Sequence, residues 1–413
     1  MGANWQQFTL LAIVNVFVGG MVGLERTVTP IVGAQEFHLG ELAIAAFVVV
    51  FGFTKAITNA VGGAVVGRYT RKMVLIVGWI IGAPVPFMLG YGPSWGWIIA
   101  ANLLLGINQG LTWSMTVNMK IDLIGPTRRG LALGINETAG YFGVAVTALA
   151  TGYLATDYGL RPVPALLGVG YALAGLALSV LLVRDTADYA HLEAEQHPEG
   201  NSEPRPSIRT IVAQVSWRDR TLAAVSQAGL VNNLNDGLTW VILPVLLIEH
   251  GVSITGVGYI KALYPFIWAA GMIGTGQLAD RIGRKIPIVT GMFIQAAGLA
   301  VITAGINYAL LTGLIGAFFL GAGTALVYPT LLAAISDATH PSWRSTALGI
   351  YRFWRDTGYA LGALIGGITA TLAGLDTAML VATLLTTASG LTAWILMRET
   401  HPSTPAPTPA TGT

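Results

Sequence analysis

Twelve long apolar stretches run through this 413-residue chain, and no other feature constrains its fold as much. Each holds about 20 residues or more, enough for a helix rising 1.5 Å per residue to cross a hydrocarbon core about 30 Å thick. Hydrophobic runs bounded by charge, Gly or Pro put the spans at 8–31, 42–66, 73–91, 95–119, 130–155 and 164–183, then at 221–248, 255–278, 286–306, 308–334, 345–374 and 377–397. A membrane barrel would alternate over segments of about 10 residues, whereas 10–21 and 378–385 are apolar almost without interruption. Backbone groups in lipid must be satisfied within their own segment, so the expected class is an all-α polytopic membrane protein. Composition agrees: 54% of residues are hydrophobic, mean hydropathy is +0.65, and 10% are charged, against roughly 25% in soluble domains.

The charge balance excludes several functions. A net charge of +2 without a basic cluster implies no nucleic-acid partner. The absence of cysteine removes disulfides, thiolate metal sites and Cys nucleophiles together. Of the six histidines, His38, His250 and His340 fall at helix ends and His191, His197 and His401 in hydrophilic stretches, so no metal site is expected. No G-x-x-x-x-G-K-[ST] run is present, which argues against direct ATP coupling, and no cofactor is expected. Residues 1–7 carry no basic region and no small-residue cleavage pattern follows, so the first helix is expected to stay in the protein.

Between the sixth and seventh spans lies the one long hydrophilic stretch. It divides the chain into an N-terminal six-helix half (1–184), a linker (185–220), a C-terminal six-helix half (221–398) and a Pro- and Thr-rich tail (399–413) expected to be disordered. Within the linker Ile208, Ile211, Val212 and Val215 recur at helical spacing beside Trp217, which suits a short helix on the membrane surface. One set of short loops holds Arg68, Arg71, Lys72, Lys120, Arg128, Arg129, Arg281, Arg284, Lys285 and Arg344, and the other little beyond Arg161. The basic set is expected to face the cytoplasm, with both termini and the linker.

The halves repeat. An offset of 215 matches Gly106 with Gly321, Asp122 with Asp337, Arg129 with Arg344 and Ala132-Leu133-Gly134-Ile135 with Ala347-Leu348-Gly349-Ile350; an offset of 214 pairs Gly23 with Gly237 and Pro30 with Pro244. Parallel six-helix repeats put a solute site on the axis between halves, where rocking alternates access.

The loop Gly276-Gln277-Leu278-Ala279-Asp280-Arg281-Ile282-Gly283-Arg284-Lys285 resembles the G-x-L-x-D-R-x-G-R-K signature of the major facilitator superfamily at every defined position. In it Gly276 would allow close helix packing, Asp280 would face a neighbouring helix N-terminus, and Arg281, Arg284 and Lys285 would hold the loop at the headgroups. The first-half copy, Gly63 to Lys72 with Arg68 and Arg71, is degenerate, with Gly67 in place of Asp and Thr70 in place of Gly. The family's proton-coupled drug exporters are matched less well: Asn102 stands where they carry Arg, and their G-P-x-x-G-G appears only as Gly140-Tyr141-Phe142-Gly143. The resemblance implies two pseudo-symmetric halves, with helices one, four, seven and ten around the cavity, two, five, eight and eleven between the halves, and three, six, nine and twelve outermost.

Charged residues in spans are costly and tend to mark function or pairing. Here they are Glu25, Arg26, Lys55, Glu137, Asp236, Lys261, Arg352, Arg355 and Asp356, with none on helices three, six, nine or twelve. Asp236, with Asn232, Asn233 and Asn235, is the first choice for a solute- or proton-binding group, and Glu137 the second. Asn108, Gln109 and Trp113 on the fourth helix and Tyr328 on the tenth add polar and aromatic surface; Glu25 and Arg26, about 100° apart, suit an outer gate with separate partners. Lys55 and Asp356 lie at equal depth, 11 residues from their helix ends, and are expected to pair across the halves, with Arg352 as a competitor.

The leading expectation is a secondary active transporter of a small organic solute, proton-coupled, monomeric, in the inner cell membrane, and by resemblance more often an exporter. A non-transporting receptor that kept the carrier fold stands as the alternative. An intramembrane enzyme lacks histidine and cysteine in the spans.

Overall fold

The computed structural model describes residues 4–65, 69–124, 129–186 and 206–401. Its long helices are α1 (Trp5–Arg26), α2 (Glu41–Val65), α3 (Arg71–Gly82 and Val85–Tyr91), α4 (Trp95–Ile124), α5 (Arg129–Tyr158) and α6 (Val163–Leu181), then α7 (Arg220–Glu249), α8 (Ile254–Ile282), α9 (Lys285–Ala304), α10 (Ala309–Asp337), α11 (Pro341–Ala373) and α12 (Leu375–Leu396). No strand occurs among the described residues. Nine of the helices are long and apolar enough to cross a membrane. The other three, α4, α8 and α11, have 30, 29 and 33 residues but more polar sequences, consistent with the expected twelve.

Two spans expected to be continuous are broken. α1 stops at Arg26, and a separate helix, Thr29–Gln35, restarts with Pro30 in its first turn, where a missing N–H costs nothing. α3 breaks at Ala83-Pro84 for the same reason. The linker helix, Ile208–Ala213, runs into a π turn at Gln214–Arg218. It is docked rather than only laid on a surface: Ile211 and Val215 are buried with Leu222, Ile288 and Tyr351 of the second half, while Ile208 and Trp217 stay exposed. The linker residues 187–205 and the tail after 401 lie outside the described residues.

Between the halves the broadest packing is α2 on α11 and α5 on α8; within them it includes α1 on α5 and α7 on α11. This is the division of helices that the resemblance implied. On the outside, Ile80 and Phe87 of α3, Leu173 and Leu181 of α6 and Leu384 and Ile395 of α12 are exposed, an apolar surface suited to lipid.

Glycines set how closely these helices approach. A Cβ at Gly143 of α5 would run into Val16 O of α1, and one at Gly358 of α11 into Leu230 O of α7. The two sites are 215 residues apart, so the repeat preserves a backbone contact as well as a motif. Gly143→Val and Gly358→Val are each expected to cost about 1–3 kcal/mol through overpacking. Thermal unfolding in detergent checks this, with Gly170→Val, which has open space beside it among the described residues, as the silent control.

Candidate functional site

The helices alternate between two ends. One, the motif end, carries the ends where α2 gives way to α3, α4 to α5, α8 to α9 and α10 to α11; the far end carries the joints at 36–40, 159–162, 250–253 and 374. From the far end to mid-depth the halves are closed on each other. Thr371 Oγ1 accepts Leu42 N, Thr156 pairs with Thr255, Tyr153 with Tyr259, and Gly152 packs on Gly258. At mid-depth Arg26 of α1 clamps Asp236 of α7 with its two terminal guanidinium nitrogens, Nη2 to Oδ2 at 3.0 Å, and both residues are buried. Trp240, one turn beyond Asp236, lies under the Arg26 guanidinium at 4.1 Å and donates its Nε1 to Glu25 O at 3.2 Å. Phe47 and Phe51 of α2 pack edge-on against the same indole. Asn102 Nδ2 donates to Glu25 Oε1 at 2.9 Å, so Glu25 and Arg26 do take different partners.

Toward the motif end, among the described residues, Gly134 of α5, Gly274 and Gly276 of α8 and Gly349 of α11 have open space beside them. Among the described residues no close helix contact is made at Gly276. At mid-depth lies a small, partly open polar cavity lined by Lys55, Asn59, Trp113, Ser114, Val117, Glu137, Tyr141, Tyr328, Arg352 and Arg355. Trp113 Nε1 donates to Glu137 Oε1 at 2.8 Å and Tyr328 OH to Glu137 Oε2 at 3.0 Å. Arg355 Nη1 donates to Tyr328 OH at 2.5 Å, and its Nε and Nη2 to Asp356 Oδ1 at 2.9 and 2.6 Å. Asn59 Nδ2 donates to Asp356 Oδ2 at 2.6 Å and Ser114 to Asn59 at 2.8 Å, closing a polar chain across both halves.

Several expected roles are relocated. Asp356 takes its bonds from Arg355 and Asn59 and not from Lys55 or Arg352; the helices meet as expected, but the adjacent guanidinium reaches the carboxylate first. Lys55 instead has its ammonium 5.3 to 5.7 Å from the rings of Phe51, Trp113 and Tyr359. The asparagines do not gather at Asp236. Asn232 and Asn235 bond Gln295 of α9, Asn235 also bonds Thr386 of α12, and Asn233 faces Asn232. Asn108 and Gln109 tie α4 to Gly78 O and Val18 O within the first half.

The motif loop is a clasp. Arg284 bonds Asp280 at 2.6 Å and Asp337 at the end of α10 at 2.9 Å, so Asp280 pairs with the loop's own arginine and not with a helix N-terminus. The N-terminus of α9 is taken by Glu399, which accepts Arg284 N and Lys285 N at 2.7 and 3.1 Å. Gly283 has φ +91°, a conformation that favours glycine at this helix stop. Arg281 lies exposed. In the first half Arg71 pairs with Asp122 at 2.7 Å and Asp185 accepts Lys72 N at 2.9 Å, the same clasp despite the degenerate sequence. Gly63 lies in the last turn of α2, and Arg68 falls outside the described residues. Asp185 and Glu399 were missed in sequence because each lies just past its sixth helix, where the first was assigned to the linker and the second to the tail.

Partial burial would raise the Glu399 carboxyl, but four backbone N–H donors outweigh it and hold the group below the usual carboxylate range. A depressed folded-state value means that its stabilisation is complete above the ordinary value of about 4.3 and is lost as pH falls through the folded one. Glu399→Gln is expected to cost about 1 kcal/mol, the size of a helix cap, at neutral pH, with the difference from the parent vanishing in acid. Thermal unfolding against pH checks it.

The sequence pattern of the Major Facilitator Superfamily matches residues 9–233 and again 225–413. An MFS-type transporter of Salmonella typhimurium is 23% identical over 393 residues, covering 92% of this chain and 93% of its own. The "Probable 4-methylmuconolactone transporter" of Cupriavidus pinatubonensis is 24% identical over 369 residues, covering 85% and 82%. A POT family transporter crystallised with a thioalcohol conjugated peptide superposes with a TM-score of 0.74 over 94% of this chain and 96% of its own, at 10% identity, a likeness of fold alone.

Proposed function

The chain belongs to the Major Facilitator Superfamily and is a multi-pass membrane transporter, and from that premise we propose that it carries a small organic solute by rocker-switch alternating access, coupled to protons. The observation that carries this reading is the asymmetry of the central path among the described residues: closed at the far end by Arg26, Asp236 and Trp240, with the polar cavity on the motif side of that closure. A solute entering from the motif end would meet Lys55, Trp113, Glu137, Tyr328 and Arg352 before reaching the Arg26–Asp236 closure. Breaking that closure while the motif ends approach would expose the cavity to the other side.

In this reading the motif end is cytoplasmic, with both termini, in the inner cell membrane, because the basic loops gather there. The two arginine clasps hold each half rigid as it rocks. Glu137 is the proton-coupling carboxylate, and Asp236 belongs to the gate. Charge displacement on supported membranes carrying the purified protein, with a solute panel and a pH gradient, tests the reading. A solute-dependent current lost in Asp236→Asn supports it; solute binding with no current or labelled flux in either direction overturns it.

A further inference from the structure

The charges facing the cavity do not balance. Lys55 from the first half and Arg352 and Arg355 from the second all line it, against the single carboxylate of Glu137. Arg355 is committed to Asp356 and Tyr328. Both Glu137 oxygens are bonded, one to Trp113 and one to Tyr328. Lys55 and Arg352, by contrast, make no hydrogen bond or ion pair among the described residues, although Lys55 is 8% exposed. An ammonium so buried feels the Asp356 and Glu137 carboxylates nearby, but with ring faces as its closest neighbours it lacks the hydrogen-bonded oxygen that would offset its desolvation in full. The rest of the wall is the rings of Trp113, Tyr141 and Tyr328 with Asn59, Ser114 and Val117.

We propose that the cavity binds a small organic anion, a carboxylate on a flat aromatic or unsaturated body, with the carboxylate between Lys55 and Arg352 and the body against the three rings. This rests on the transport reading and names its substrate class. It also supplies a reason for closure. The two free cations stand on opposite halves, so without an anion they repel and keep the motif end apart. A bound carboxylate neutralises that repulsion and ties α2 to α11, lowering the cost of bringing the halves together.

Three probes of one shape and different charge test it: benzoate, benzamide and benzylammonium, titrated by calorimetry against the purified full chain and followed by flux in proteoliposomes. Benzoate is expected to bind about tenfold or more tighter than benzamide, with benzylammonium weakest, the discrimination of a charge-assisted hydrogen bond. Lys55→Met and Arg352→Gln should each remove that preference, and Lys55→Arg, which keeps the charge, should retain it. Equal binding of the three probes, binding of none, or a benzoate preference that survives both Lys55→Met and Arg352→Gln overturns the anion site. Benzoate selectivity without flux supports the site and counts only against the transport reading. Flux of benzylammonium untouched by Lys55→Met counts only against the site.

Discussion

Asp236→Asn is expected to reduce transport by about 100-fold or more, and Arg26→Met by less, because the two changes strand different numbers of charges. Removing one member of a buried pair costs roughly 3–5 kcal/mol, since the other is left desolvated. With Arg26 gone, Asp236 still has the Lys261 ammonium nearby, held on α8 by Thr239 O at 3.0 Å. With Asp236 neutral, Arg26 and Lys261 remain as two buried cations, and the nearest carboxylate, Glu25, has one oxygen on Asn102 and the other without a partner. The double variant Arg26→Met/Asp236→Asn should recover part of the loss, as it removes both the stranded charge and the clamp. The chain has no cysteine, so a cysteine placed at Phe51, buried against Trp240, reports opening directly. Its labelling by a membrane-impermeant reagent added at the far end should rise in Arg26→Met. Unchanged labelling together with unchanged transport would remove this pair from the gating cycle.

The fold was largely legible because it is written in two coarse signals, segment length and repetition. Offsets of 214 and 215 relate Gly23 to Gly237 and Asp122 to Asp337, and both pairs occupy equivalent places in the structure. What the spans concealed were the breaks at Thr27-Val28 and Ala83-Pro84, since an apolar run continues through a kink as readily as through a helix. Pro30, Pro84 and Pro86 carried that information, and span length outweighed it.

The site was less legible, for a geometric reason. Counting residues from helix ends fixes depth but not the direction a side chain takes around the axis. Lys55 and Asp356 share a depth on helices that do touch, yet Arg355, next to Asp356, reaches the carboxylate first. Direction also separates the asparagines from Asp236. Asn232 and Asn235 are three apart and share a face turned to Gln295, while Asp236, one residue on, is rotated by about 100° toward α1. Partners 210 residues away, such as Arg26 for Asp236, could not be assigned from one sequence, although Trp240 at i+4 marked the same face.

Glu137→Gln should separate the two halves of the proposed cycle, abolishing gradient-driven accumulation while sparing exchange. The substitution is nearly isosteric. Its amide oxygen still accepts one of the Trp113 and Tyr328 bonds, so the packing of α5 against α4 and α10 should survive. What changes is charge. Around Glu137 stand Lys55 on α2, Lys120 of α4 through Asn136, Tyr141 on α5, Tyr328 on α10, and Arg352 and Arg355 on α11 with Asp356 behind them. In the proposed cycle an ionised Glu137 would oppose an incoming carboxylate and a proton on it would leave the cations unopposed, so proton and organic anion would enter the same cavity together and move in one direction. That favours symport over the exchange of a proton for an exported solute. In Glu137→Gln the anion no longer needs the proton: accumulation against a pH gradient should fall about tenfold or more, a coupling of at least one decade. Counterflow at symmetric pH should remain within about threefold of the parent, a difference below 1 kcal/mol. Accumulation that still follows the pH gradient in this variant would move the coupling elsewhere in the protein.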